Sequence, residues 1–152
     1  MTLVVDVAAD GVRLAVARDR LALLARDVLR AERVRRAMLS VTFVSDRAVA
    51  ALNARYVGRR GPTDVIAFGF APFGPAAARE GLVGDIYIAP DVAARNARVA
   101  GVGVREELAR LVVHGTLHAV GWDHPEGEGR LVSPMWRRQE VLLGRHWTRA
   151  RR

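Results

Sequence analysis

This sequence predicts a mixed sheet covered by helices, in an α/β or α+β layer. Two observations carry that prediction. Short β-rich runs at 3–7, 38–44, 65–70 and 84–88 are interleaved with longer stretches whose apolar residues recur at helical spacing. The first two runs are separated by a helical stretch, which favours packed layers of helix and sheet. At 152 residues and 51% hydrophobic content, the chain suits one domain with a proper core. No internal repeat or linker divides it, so a single domain is expected over 1–152. Pattern alone leaves the strand order open.

The elements follow in order. Leu3 to Val7 reads as a strand, ended by Ala8-Ala9-Asp10-Gly11. From Val12 to about Val34, apolar residues at Leu14, Ala17, Leu21, Leu24, Ala25, Val28 and Leu29 predict a long amphipathic helix with its arginines on a solvated face. Met38 to Val44 is the second strand. Ser45-Asp46 caps a helix running through Val49 and Leu52 towards Tyr56. Gly58-Arg59-Arg60-Gly61-Pro62 is a basic loop, followed by a strand from Val65 to Phe70. Residues 71–83, rich in Ala, Pro and Gly, read as a surface loop before the fourth strand, Gly84 to Ile88. Pro90-Asp91 opens a helix to about Val99. The next helix begins after Gly103, carries Glu106 and Glu107 where acids favour an N-terminus, and has so few polar positions that it must be largely buried. Pro125 to Gly129 is turn-rich. Ser133-Pro134 starts a final helix through Met135, Trp136, Val141 and Leu142, and the basic tail from Arg145 reads as loose.

The buried helix ends in His114-Gly-Thr-Leu-His118-Ala-Val-Gly121-Trp-Asp-His124, which holds three of the four histidines in the chain. His114 and His118, four apart, share one helical face. Gly121 can end the helix in a left-handed conformation and let the chain bring His124 back to the other two. Three imidazoles so arranged can bind one divalent metal with a fourth position open for water, as a catalytic site requires. The spacing overlaps the zinc-protease pattern H-E-x-x-H-x-x-G-x-x-H, yet Gly115 stands where the protease has its glutamate base. Asp123, Asp64 and Asp85 are candidates to accept the other ring N–H of a ligating histidine, against the plainer roles of turn or cap.

Cysteine is absent, which excludes disulfides and thiolate ligands and fits a cytoplasmic protein. No basic leader precedes the first apolar residues and no run reaches membrane-spanning length, so the chain reads as soluble and unprocessed, with no membrane partner. The net charge is +8, and every basic residue is arginine. A field of that sign points to a polyanion, RNA or DNA first. Aromatic residues are few, and Phe43, Phe68 and Phe70 fall in strands, where packing is the expected use. Binding through phosphates, with little base specificity, is therefore expected.

Four segments together carry a family resemblance: Leu52-Asn53-Ala-Arg-Tyr56, Pro62-Thr63-Asp64-Val65-Ile66-Ala-Phe68, Gly84-Asp85-Ile86-Tyr87-Ile88, and the histidine motif. In this order and at these separations the chain resembles the YbeY family of bacterial rRNA maturation factors over about residues 40–145. The closing helix, with Met135, Gln139 and Glu140, is similar as well. The resemblance implies an α+β fold related to metalloproteases, a mostly parallel four-stranded mixed sheet with about five helices. It also implies a single-strand-specific endoribonuclease that acts in 16S rRNA 3′-end maturation and late quality control of the small ribosomal subunit. Partners would be small-subunit rRNA, the subunit itself and assembly proteins such as the Era GTPase. The metal would be Zn2+, held by His114, His118 and His124, with His114 needed for cleavage. Many members carry arginine directly after the tyrosine matching Tyr56; here that position is Val57, and Arg59 or Arg60 are the candidates to supply the guanidinium. Two other readings stand beside this one. One is an rRNA-binding assembly factor whose metal is mainly structural. The other is a metal-dependent hydrolase of a different substrate, which Gly115 disfavours where that substrate is a peptide.

Overall fold

A computed structural model describes residues 2–58, 60–71, 77 and 79–147, the Glu128 side chain aside. It contains a four-stranded sheet in the order β1-β2-β4-β3, where β1 is Thr2–Ala9, β2 Arg36–Phe43, β3 Val65–Phe70 and β4 Leu82–Ile88. β1, β2 and β4 run parallel, and β3 is antiparallel to β4. The helices are α1 (Arg18–Ala31), α2 (Asp46–Leu52), α3 (Pro90–Ala100), α4 (Val104–Val120) and α5 (Pro134–Leu142). The mixed, mostly parallel sheet with five helices is the expected α+β fold.

Alternation along the strands decides which face is covered. Ala37, Leu39, Val41 and Phe43 of β2 are buried, in register with Leu82, Ile86 and Ile88 of β4. α1 and α4 lie side by side on this face, α1 against β1 and α4 across β4 and β3. Leu21, Leu24, Ala25, Val28 and Leu29 of α1 meet Leu108, Val112, Val113 and Leu117 of α4 in the main core. Burial of this stripe stabilises the pair by roughly 1.5–3 kcal/mol for each large side chain.

α4 approaches the sheet closely because three glycines make room. A Cβ at Gly115 would sit 2.7 Å from Ile86 Cγ2. Gly69 and Gly84 are cross-strand partners on β3 and β4. A Cβ at Gly69 would strike the Ala119 carbonyl oxygen, and one at Gly84 would sit 3.1 Å from the Ala119 Cβ. The C-terminal half of α4 therefore nests over the β3–β4 pair, and its histidines emerge beside the start of β3.

Four expectations need correction. The first helix starts at Arg18, not Val12. Val12 and Leu14 are half-buried between exposed neighbours, and the chain bends at Ala15 and Val16 to place Val16 in the core before the helix begins. β1 runs on through Ala8 and Ala9 instead of ending after Val7, whereas the helix from Asp46 continues towards Tyr56 as expected, with a π-turn over Asn53–Val57. The chain from Arg145 to Trp147 is not loose. It continues α5 as a π-turn, and Trp147 is buried beneath Arg20, whose guanidinium lies 4.8 Å from the ring. Phe70 is 65% exposed and not part of the core. It belongs to the opposite sheet face, in a row with Val4, Met38 and Val83 across all four strands. α2 covers only one end of that face, through Val49 against Ile66. Residues 72–76, 78 and 148–152 of the predicted loop and tail lie outside the described residues.

Candidate metal centre

The three histidines of the motif converge. His114 and His118 project from one face of α4, and Gly121, at φ 123°, ends the helix and reverses the chain. The backbone N–H groups of Gly121 and Trp122 both return to the Leu117 carbonyl, closing the turn that carries His124 back. The ring centroids lie 4.7 Å apart for His114 and His118, 5.0 Å for His114 and His124, and 4.9 Å for His118 and His124. One ring nitrogen from each falls within 4.8 Å of the others. Three ligands on a tetrahedral metal stand about 3.3 Å apart, so small side-chain rotations bring this set to bonding distance.

The hydrogen bonds determine which nitrogen each ring presents. His114 Nδ1 is 2.6 Å from Gln139 Oε1, His118 Nδ1 is 2.9 Å from the Trp122 carbonyl oxygen, and His124 Nδ1 is 2.9 Å from the Pro125 carbonyl oxygen. A carbonyl oxygen only accepts, so all three rings carry their proton on Nδ1. The Gln139 amide is itself oriented, because its Nε2 donates to Glu140 Oε2 at 3.0 Å. Each Nε2 lone pair is then left for a ligand, and the donor set fits a divalent ion of borderline character.

Electrostatics favour the same state. Burial, reinforced by the neighbouring His118, His124 and Arg130, pushes the His114 pKa down to about 4 against the pull of its bond to Gln139. Burial and His124 likewise lower His118, opposed by its bond to the Trp122 carbonyl and by Asp123. His114 and His118 are therefore neutral near pH 7, as metal ligands must be.

The Nδ1 partners are therefore one glutamine and two backbone carbonyls, not the aspartates expected from the sequence. Asp123 Oδ1 accepts from the His124 backbone N–H at 2.8 Å and so shapes the turn. Asp64 lines the cavity over the histidines and accepts from Asn96 Nδ2 at 3.3 Å. Asp85 lies on the opposite face of the sheet, where Ser40 Oγ donates to it; strand alternation turns it away from α4. Trp122 is anchored in turn by its Nε1–H, which donates to the buried Glu32, and Arg138 pairs with the same carboxylate at 2.8 Å. These contacts join α1 and α5 to the turn that presents His118.

A cavity of about 270 Å³ opens over the histidines, walled by Asn53, Val57, Thr63, Asp64, Val65, Ile66, Ala67 and Arg130. The loop after α2 does reach the site, through Val57 and Thr63, and Asn53 Nδ2 ties it down by donating to the Gly61 carbonyl at 3.0 Å. Arg60 is exposed and is not among the cavity-lining residues, while Arg59 lies outside the described residues. Among the described residues the arginine on the cavity wall is Arg130, from the 3-10 turn Gly127–Val132. Sequence reading missed it because it sits in a Gly/Pro/Glu-rich turn with no periodic signal.

Fold and site together define a class: α+β proteins that present a three-histidine cluster able to hold a metal ion, at the end of a helix laid over a mixed sheet. A family model described as "Endoribonuclease YbeY" matches residues 9–146. The chain is 42% identical over 132 residues to Endoribonuclease YbeY of Frankia alni, covering 82% of this chain and 72% of that protein. It is also 42% identical over 113 residues to Endoribonuclease YbeY of Thermobifida fusca, with 71% and 73% covered. The solution structure of TM1509 from Thermotoga maritima shares the fold, at a TM-score of 0.62 and 23% identity, over 97% of this chain and 91% of that one. The chain belongs to the YbeY endoribonuclease family.

Proposed function

We propose that this chain, acting as one domain over 1–152, is a metal-dependent endoribonuclease that cleaves single-stranded RNA, with His114, His118 and His124 holding one divalent ion, Zn2+ by preference. The observation that carries the reading is the common tautomer: three Nδ1–H groups tied to oxygens leave three Nε2 lone pairs facing one cavity. When bound, such an ion supplies Lewis-acid activation of water and of a phosphoryl oxygen.

The protein's own groups do the rest. Gln139 and the Trp122 and Pro125 carbonyls hold the rings in place. Arg130 presents forked donors on the cavity wall, where negative charge on a phosphate can be met. Gly115 carries no carboxylate on α4 itself, and a glutamate there would run into Ile86, so the base of the zinc proteases has no place on this helix.

The natural substrate in this reading is small-subunit ribosomal RNA at its 3′ end, in the cytoplasm, with the small subunit and assembly proteins such as the Era GTPase as partners. The test compares wild type with His114→Ala on a single-stranded RNA and its duplex. Cleavage of the single strand alone by wild type is expected, lost in the variant while RNA binding persists. Cleavage undiminished in His114→Ala contradicts the proposal. A variant that still binds RNA beside a wild type that never cuts it favours the assembly-factor reading.

A further inference from the structure

The cavity over the histidines does not end at them. A narrow passage of about 50 Å³, walled by His114, Asp64, Arg130 and Trp136, adjoins it, followed by a wider hollow of about 520 Å³. All three share Asp64 and Arg130 as walls, so they form one groove running from the metal centre towards the C-terminal end of α3. Trp136 and the exposed Leu131 form one side of the outer hollow, with Val99 and Ala100 on the other. Two arginines reach it, and their surroundings differ. Arg110 is held by Glu107 at 2.8 Å and Glu140 at 3.0 Å, with Glu106 at 3.4 Å, so its charge is already met. Arg130 enters none of the ion pairs found among the described residues, and its guanidinium stands 5.8 Å from the Trp136 ring.

An arginine without a carboxylate partner, at the junction of two cavities and against an indole, has the chemistry to hold a nucleotide: forked donors for phosphate and a flat apolar wall for a base. We propose that the outer hollow is a nucleotide subsite for the single strand adjoining the metal centre. Arg130 binds the phosphate at the junction, and Trp136 with Leu131 supports the neighbouring base. Asp64, which lines the same cavities, repels phosphate and so favours a backbone path along Arg130. The inference rests on the endoribonuclease reading and extends it to how the strand is placed.

The experiment measures binding of a fluorescent single-stranded RNA to the full chain by anisotropy, across a salt series, for wild type, Arg130→Ala and Trp136→Ala. Arg130→Ala is expected to bind about tenfold more weakly and to lower the slope of log affinity against log salt by about 0.7, the loss of one phosphate contact. Trp136→Ala is expected to weaken binding about tenfold at unchanged slope. Arg130→Gln carries the same expectation and replaces the alanine variant if that one melts early. Unchanged affinity and slope in the Arg130 variants overturn the subsite, as does a Trp136→Ala variant that binds like wild type. If wild type fails to cleave RNA yet the variants weaken binding as stated, the subsite holds and the catalytic reading fails. If wild type cleaves and the variants bind like wild type, the catalytic reading holds and the subsite fails.

Discussion

Gln139 is fully buried and, among the described residues, is the one side chain that fixes a ring of the cluster, since the other two rings bond to backbone. Replacing it with leucine keeps the volume close and removes the acceptor. The His114 Nδ1–H is then left in a buried site with no partner, a defect that costs about 1–3 kcal/mol. The ring also loses the contact that holds its tautomer and angle. Losses of this kind lower metal affinity roughly 10–100-fold, which converts to about 1.4–2.7 kcal/mol and agrees with the first figure. Gln139→Glu separates the two effects. It restores an acceptor to Nδ1, so metal affinity should be largely kept, but it buries a second carboxylate 3.0 Å from that of Glu140 and should lower stability at neutral pH. The assay is competition for zinc against a chromogenic chelator, with thermal melting in parallel. Wild-type zinc affinity in Gln139→Leu would refute the claim that an oriented amide sets the ligand.

Three further predictions follow from the same geometry. In the metal-free protein, His114 titrates near 6.5 when unfolded and about 4 when folded, so between those values the unfolded chain takes up a proton that the folded chain refuses. Stability is then full above about pH 6.5, falls by about 3 kcal/mol towards pH 4 and levels off below; denaturant melts across this range that stay flat would contradict it. Gly115→Ala should destabilise by about 1–3 kcal/mol, because its Cβ would sit 2.7 Å from Ile86 on β4, and a melting temperature equal to wild type would show that α4 can shift at no cost. Glu32→Ala leaves Arg138 and the Trp122 indole N–H without their shared acceptor, and should cost about 2 kcal/mol or more while loosening the turn before His124. Hydrogen exchange at Trp122 and His124 reads the loosening directly, and protection equal to wild type would rule it out.

The sequence made the framework legible where one period dominated. β3 is Val65–Phe70 as the pattern reads, and α4 shows its burial in Leu108, Leu111, Val112, Val113 and Leu117. The histidine cluster was legible for a local reason: four residues on a helix, then a glycine turn, fix three side chains within eleven positions. What stayed hidden depends on contacts distant in sequence. Gln139 lies 25 residues from His114 and Glu32 lies 90 from Trp122, and neither spacing carries a periodic trace. Asp85 is only a candidate partner for a ring N–H in the sequence, and strand alternation sends it to the opposite face. The start of α1 is hidden because the arginines and alanines that flank Val12, Leu14 and Val16 also suit a helix, while the chain there bends at Ala15 and Val16 before the helix begins.

The central claim is that three histidines form one metal centre, and metal content tests it most directly. Wild type and His118→Ala, each loaded with zinc and passed through a desalting column, would be analysed by elemental spectroscopy. One zinc per chain is expected for wild type and most of it lost in the variant, with a lower melting temperature because binding energy is also folding energy. Full zinc occupancy in His118→Ala, or no bound metal in a folded wild type offered zinc, cobalt and manganese in turn, would contradict the account.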